Sequence, residues 1–113
     1  MKRLDTDPID RLQTTFKTNG HVYKLYIRND VVAVYSQFTT DGLLVGYELT
    51  EIFTRPKEEI GGVWYNKREC YCPTSKWGVS GFTLLSTSTE EHILKRFKEF
   101  TKKVRKKRDC KSW

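Results

Sequence analysis

Residues 21–50 read HVYKLYIRNDVVAVYSQFTTDGLLVGYELT, and their two-residue rhythm decides the fold. Apolar side chains recur at alternate positions, the period of a half-buried strand. Asn29-Asp30 suits a two-residue turn, because both residue types tolerate the left-handed region. Closure there pairs Arg28 with Val31, Ile27 with Val32, Leu25 with Val34 and Tyr23 with Ser36. Tyr23, Leu25, Ile27, Val32, Val34 and Phe38 then share one face. Lys24, Tyr26, Arg28, Tyr35 and Gln37 share the other. A second turn at Thr39-Thr40-Asp41-Gly42 adds Leu43, Val45, Tyr47 and Leu49 to the apolar face, and Glu48 and Thr50 to the polar one. Two independent turns give the same partition, which predicts a three-stranded antiparallel meander with one face on a core.

Downstream the signals are shorter. Residues 54–62 read as a loop ending in Gly61-Gly62. Val63-Trp64-Tyr65 and Arg68–Cys72 suggest a fourth, interrupted strand. Pro73–Lys76 suggests a turn, and Gly81–Leu85 is open between strand and loop. Upstream, Asp7-Pro8 could start a short helix, but Ile9 and Leu12 are its only apolar contacts. Residues 1–15 are therefore expected to be loosely ordered.

Ser88-Thr89-Glu90-Glu91 reads as a capping box with Ser88 as N-cap. Ile93, Leu94, Phe97, Phe100 and Val104 follow at helical spacing as one apolar stripe. The predicted fold is α+β: a single domain, an antiparallel sheet of three to five strands (a meander) packed on one C-terminal α-helix. Residues 16–104 form that domain. In its core Ile93, Leu94, Phe97 and Phe100 meet Tyr23, Leu25, Ile27, Val32, Val34, Val45 and Leu49, with Trp64 and Trp77 closing the ends. Beyond Val104 the stripe stops, so 105–113 is expected to fray as a basic C-terminal arm.

The chain has 113 residues, 37% of them hydrophobic, and 15 are aromatic, enough for one core and too aromatic for a disordered chain. The first residues lack the apolar core of a signal peptide, and no apolar run is long enough to span a membrane. A cytoplasmic protein is expected, in the host cytoplasm if phage-encoded, with no membrane partner. Three cysteines without a secretory signal suggest reduced thiols.

Charge is distributed unevenly. Lys95 to Lys111 holds ten cations and two acids, a net of +8; everything else carries 11 cations and 12 acids, a net of −1. The formal +7 thus belongs to the C-terminus. Lys102, Lys103, Arg105, Lys106, Lys107 and Arg108 form a run whose expected partner is DNA or RNA, bound sequence-independently through phosphates in a salt-sensitive way. Six neutralised phosphates would give a log–log salt slope of about −4 to −5. The plain alternative is a solvated helix end. Lys24, Tyr26 and Arg28, with Tyr35, alternate cation and ring on the polar sheet face, the composition of a stacking platform for single strands. Glu48 on the same face opposes that reading.

Cys70-x-Cys72, with Cys110, His21 and His92 distant, fits no usual zinc spacing, so no metal is expected. In a strand the first two would both point into the core. His21 and His92 lack a nucleophile at a recognisable spacing, and no phosphate-binding glycine loop is present, so neither a cofactor nor catalysis is expected. The chain does not read as an enzyme.

Tyr47-Glu48-Leu49-Thr50-Glu51-Ile52, Glu69-Cys70-Tyr71-Cys72-Pro73, Trp77-Gly78 and a short terminal helix with Phe97 follow in an order that resembles small uncharacterised proteins of tailed bacteriophages and related mobile elements. The resemblance covers about residues 23–100, stops before the basic run, and implies no activity. A curved antiparallel sheet followed by one helix also resembles single-strand-binding transcription cofactors at the level of topology. The function expected is a small non-catalytic nucleic-acid-binding accessory protein of phage type. The alternatives are a protein-interaction module whose arm recognises an acidic protein surface, and a virion structural component.

Overall fold

A computed structural model describes residues 9–71 and 80–110. The chain order is β1 (Ile9–Asp10), β2 (Thr15–Thr18), β3 (His21–Arg28), β4 (Val32–Thr39), β5 (Leu44–Glu51), β6 (Phe53–Arg55), β7 (Glu58–Ile60), β8 (Val63–Tyr65), β9 (Lys67–Cys70), β10 (Gly81–Leu85) and α1 (Glu90–Cys110). The fold is α+β. Its main sheet has five antiparallel strands in the order β10-β5-β4-β3-β2, so four consecutive strands make the meander and β10 adds to its far edge.

Residues 81–85 are therefore a strand. Gly46 is why β10 approaches so closely: a Cβ there would lie 2.6 Å from the Leu84 carbonyl oxygen. The second turn forms as expected. The Gly42 amide donates to the Thr39 carbonyl at 3.0 Å, the Leu43 amide donates to Thr39 Oγ1 at 3.0 Å, and Gly42 takes φ 95°.

The first turn forms one residue later than the sequence suggests. Asn29 pairs with Val32, and its side-chain oxygen accepts from the amides of Val31 and Val32 at 2.9 and 2.8 Å. This Asx arrangement replaces the ordinary turn. Ile27 consequently faces Val34 and Arg28 faces Ala33. A bulge at Tyr26 then shifts the register, so that Leu25 faces Tyr35 and Tyr23 faces Gln37. One extra residue in a strand exchanges the two faces beyond it. Tyr23 and Leu25 thus leave the helix side, and a core on both faces of the sheet is the result.

On one face Ile93, Phe97, Phe100 and Val104 pack with Val31, Val32, Val34, Leu49 and Leu84, flanked by Ile27, Tyr47 and Phe82. On the other, Leu12, Tyr23, Ala33, Tyr35 and Ile52 pack with Phe16, Leu25 and Tyr71. Tyr35, expected on a solvated face, is buried. Val45 sits at a second irregularity between the Gln37 and Phe38 pairings; it is exposed and does not meet the helix.

The second core exists because the N-terminal segment covers it. From Ile9 onward this segment is tied down, contrary to expectation. Ile9 and Asp10 pair in parallel with Lys67 and Arg68, in a small sheet of order β1-β9-β6. The Leu12 amide donates to Glu69 at 3.0 Å, Tyr35 Oη donates to the Gln13 carbonyl at 2.7 Å, and the Leu25 amide donates to the Thr14 carbonyl at 2.8 Å.

The expected loop at 54–62 instead contributes to strands β6 and β7. Gly61 and Gly62, with φ 59° and 83°, turn β7 into β8. Only glycine takes two successive positive φ values at no steric cost. Trp64 on this hairpin is 65% exposed, so it does not close the core. Trp77 and the turn at 73–76 lie outside the described residues.

Candidate polyanion-binding surface

Helix α1 carries every feature of the surface, and its cap comes first. The His92 amide donates to Thr89 Oγ1 at 3.1 Å and the Ile93 amide to the Thr89 carbonyl at 2.9 Å, which makes Thr89 the N-cap in place of Ser88. Glu90 and Glu91 in the first turn and Lys107 and Arg108 in the last complement the helix dipole.

The helix does not fray at Val104. It runs to Cys110, and a buried carboxylate holds its end. The Glu51 side chain, 3% exposed, receives Lys107 Nζ on Oε1 at 2.7 Å and Arg108 on Oε2 at 3.1 Å. Arg108 also donates to the Ile52 carbonyl, and Lys107 reaches Ser80 Oγ at 3.4 Å. Burial alone would raise the Glu51 pKa. The hydrogen bonds from Lys107, Arg108 and Ser80 outweigh it and hold the carboxyl below its ordinary range. Nearer the middle, Arg105 pairs with Asp30 at 2.8 Å, and Asn29 Nδ2 donates to Thr101 Oγ1 at 3.0 Å, joining the β3–β4 turn to the helix.

The six cations of the basic run are therefore sorted. Lys107 and Arg108 are structural ties between the helix end and β5. Arg105 forms a surface pair with Asp30, with both side chains more than half exposed. Such a pair is screened by salt and opens readily to a competing anion. Lys102, Lys103 and Lys106 are all exposed, and Lys102 and Lys106 also line a shallow groove. Sequence reasoning also passed over Lys95 and Lys98, although helical spacing marks them. At about 100° per residue, Lys95, Lys98, Lys102 and Lys106 fall within an arc of about 80°, diametrically opposite Ile93, Phe97, Phe100 and Val104. The groove beside this ridge is lined by Asn29, Phe97, Thr101 and the cations Lys98, Lys102, Arg105 and Lys106, with one acid, Asp109, at its C-terminal end.

Lys24, Tyr26 and Arg28 do not form a platform. The bulge at Tyr26 places Lys24 over the Phe38 ring, 5.3 Å from its centroid, and Tyr26 edge-on to Tyr47 at 5.7 Å, both on the helix side. Arg28 lies on the opposite side, with Nη1 and Nη2 on the two oxygens of Glu69 at 2.7 and 2.8 Å. Arg11 joins the same carboxylate at 3.1 Å. The Arg28 hydrogen bonds, with help from the Leu12 amide and against the cost of burial, push the Glu69 pKa down to about 2. This fork fixes β1 and β9 to the main sheet and leaves Arg28 no free donor face for a phosphate.

Cys70 is partly buried in β9; Cys72 and the side chain of Cys110 lie outside the described residues. Among the described residues, no group of three or more His, Cys, Asp and Glu side chains could hold a metal ion, and no helix is long and apolar enough to cross a membrane. Comparison with family models, with curated proteins and with solved structures finds no match to this chain.

Proposed function

We propose that this protein is a non-catalytic nucleic-acid-binding accessory factor whose contact surface is the outer ridge of α1. Lys95, Lys98, Lys102 and Lys106 meet phosphates, with Lys103 on one shoulder and Arg105 on the other. The observation that carries the reading is the sorting of the cations. The fold uses Lys107 and Arg108 for itself, yet leaves a row of lysines at the helix surface with no carboxylate paired to them among the described residues. Successive positions at i, i+4 and i+8 rise by about 6 Å each, a spacing that lets one rigid helix engage neighbouring phosphates of a strand. Lys24, Tyr26 and Arg28 have no part in it. The phage-type part of this proposal rests on the resemblance of the sequence to small phage and mobile-element proteins alone.

Four neutralised phosphates correspond to a log–log salt slope of about −3 to −4, shallower than the six-cation run would give. The test is fluorescence anisotropy on short DNA and RNA with Lys98→Glu/Lys102→Glu/Lys106→Glu. Substitution is the right perturbation. A chain cut after Thr101 would lose Val104 from the core and strip Glu51 of both its cations. Loss of binding with retained helix content supports the ridge; unchanged binding removes it.

A further inference from the structure

We infer that the groove beside the lysine ridge is a phosphate site, and that Asp30 holds its strongest ligand, Arg105, until a strand displaces it. This rests on the ridge meeting phosphates, as proposed, and gives that site an internal competitor. Lys98, Lys102, Arg105 and Lys106 bring four cations to the groove from successive turns of α1. Arg105 differs from the three lysines in kind. A guanidinium presents a planar fork of donors that matches two phosphate oxygens at once, whereas an ammonium acts as a point charge. Arg105 already holds an anion: its Nη2 donates to Asp30 Oδ1 at 2.8 Å.

A fixed turn presents that anion. Asn29 Oδ1 accepts from the Val31 and Val32 amides at 2.9 and 2.8 Å, and Asn29 Nδ2 donates to Thr101 Oγ1 at 3.0 Å. Thr101 Oγ1 donates in turn to the Phe97 carbonyl at 2.7 Å. The turn is thus clamped to the helix one turn before Arg105. Asp30, with its short side chain, has little rotamer freedom to lose there. Its carboxylate stands in for a phosphate on the Arg105 guanidinium.

Magnitudes decide the sign of the effect. Asp30 would assist a strand by orienting Arg105, and oppose it by occupying Arg105 and repelling phosphate. The two side chains are 55% and 77% exposed, and an exposed pair of this kind fixes a guanidinium by a factor of less than about five. A carboxylate bonded to the same guanidinium as the incoming phosphate lies well within the Debye length of about 8 Å at physiological salt, so its repulsion is not screened away. A strand also gains little counterion release at a cation that is already paired. Opposition outweighs orientation, and Asp30 lowers the affinity of the groove.

Fluorescence anisotropy of short labelled single-stranded DNA against salt tests this on the full chain with Asp30→Asn, Arg105→Gln and the double variant, far-UV circular dichroism serving as the folding control. Asp30→Ser, which also suits a turn, repeats the charge removal should Asn disturb the fold. Asp30→Asn is expected to bind about two- to fivefold more tightly. Its log–log salt slope should steepen by about 0.7, the contribution of one further phosphate. In the Arg105→Gln background the same change should leave the slope unaltered. Asp41→Asn, the same charge change in the β4–β5 turn, should leave it unaltered too. If neither wild type nor Asp30→Asn binds, the ridge reading falls and this inference with it. If wild type binds, the inference alone is overturned by equal or weaker binding of a folded Asp30→Asn, by an equal gain from Asp41→Asn, or by a gain of the same size in the Arg105→Gln background.

Discussion

Two carboxylates, Glu51 and Glu69, organise this molecule. Each is almost wholly buried, and each collects two cations from distant parts of the chain. A carboxylate held below its unfolded pKa stabilises the fold above that unfolded value, and the contribution is lost as pH falls through the folded value. For Glu69 the window runs from about 4.5 down to about 2. Its full contribution is on the order of 3 kcal/mol, from about 1.4 kcal/mol per pKa unit. Glu69→Gln should therefore be less stable than wild type in urea melts at neutral pH, and the gap should close near pH 2; an equal gap at both pH values contradicts the assignment. Lys107→Ala/Arg108→Ala leaves Glu51 buried without a cation, at a cost of about 3 kcal/mol, whereas either single change leaves one partner and costs less. Chemical denaturation of the three variants measures that non-additivity.

At the level of elements, hydrophobic period and turn chemistry make much of the fold legible before any coordinate. The meander, the turn at Thr39–Gly42 and the apolar face of α1 follow directly from alternation and helical spacing. What does not follow on the sheet comes from one-residue shifts of register, the largest in effect being the bulge at Tyr26. A bulge leaves no mark in a two-residue pattern except that the pattern shifts. Read without the bulge at Tyr26, Lys24, Tyr26, Arg28 and Tyr35 align on one polar face; with it, Lys24 and Tyr26 cross to the helix side, while Arg28 and Tyr35 stay on the opposite face, which the second core covers. That second core is hidden from the sequence because its cover, Leu12, Phe16 and Tyr71, comes from segments too short to show periodicity. The helix end escapes for a related reason. The apolar stripe does stop at Val104, but ion pairing to Glu51 continues the docking, and no local pattern announces a partner 56 residues away. Of the ridge, Lys102, Lys103 and Lys106 stand out in the sequence because they are consecutive or nearly so. Lys95 and Lys98 need the helix to join them. Two changes test elements directly. Thr89→Ala removes the cap and should cost about 1 kcal/mol in thermal or urea unfolding, while Ser88→Ala should be close to neutral. Gly46→Ala drives a methyl group into the Leu84 carbonyl, so it should weaken the β5–β10 pairing, seen as faster amide hydrogen exchange in β10 than elsewhere in the sheet.

For the whole molecule, the fold separates cations that stabilise from cations that are displayed. The net charge of the basic segment overstates what a ligand meets, because Lys107 and Arg108 are engaged internally and Arg105 is shared with Asp30. What is displayed is a straight row on a helix held at both ends, by Thr89 at one and Glu51 at the other. Rigidity matters to affinity, since an ordered row has less conformational freedom to lose on binding than a frayed arm has. The most direct test is anisotropy of short labelled DNA and RNA against salt concentration, wild type beside the Lys98, Lys102 and Lys106 charge reversals. The proposed function predicts a wild-type slope of about −3 to −4, that is, roughly a 60- to 250-fold loss of affinity between about 50 and 200 mM salt, with binding abolished in the reversed variant. Salt-insensitive binding, or equal affinity in a folded reversed variant, would contradict it.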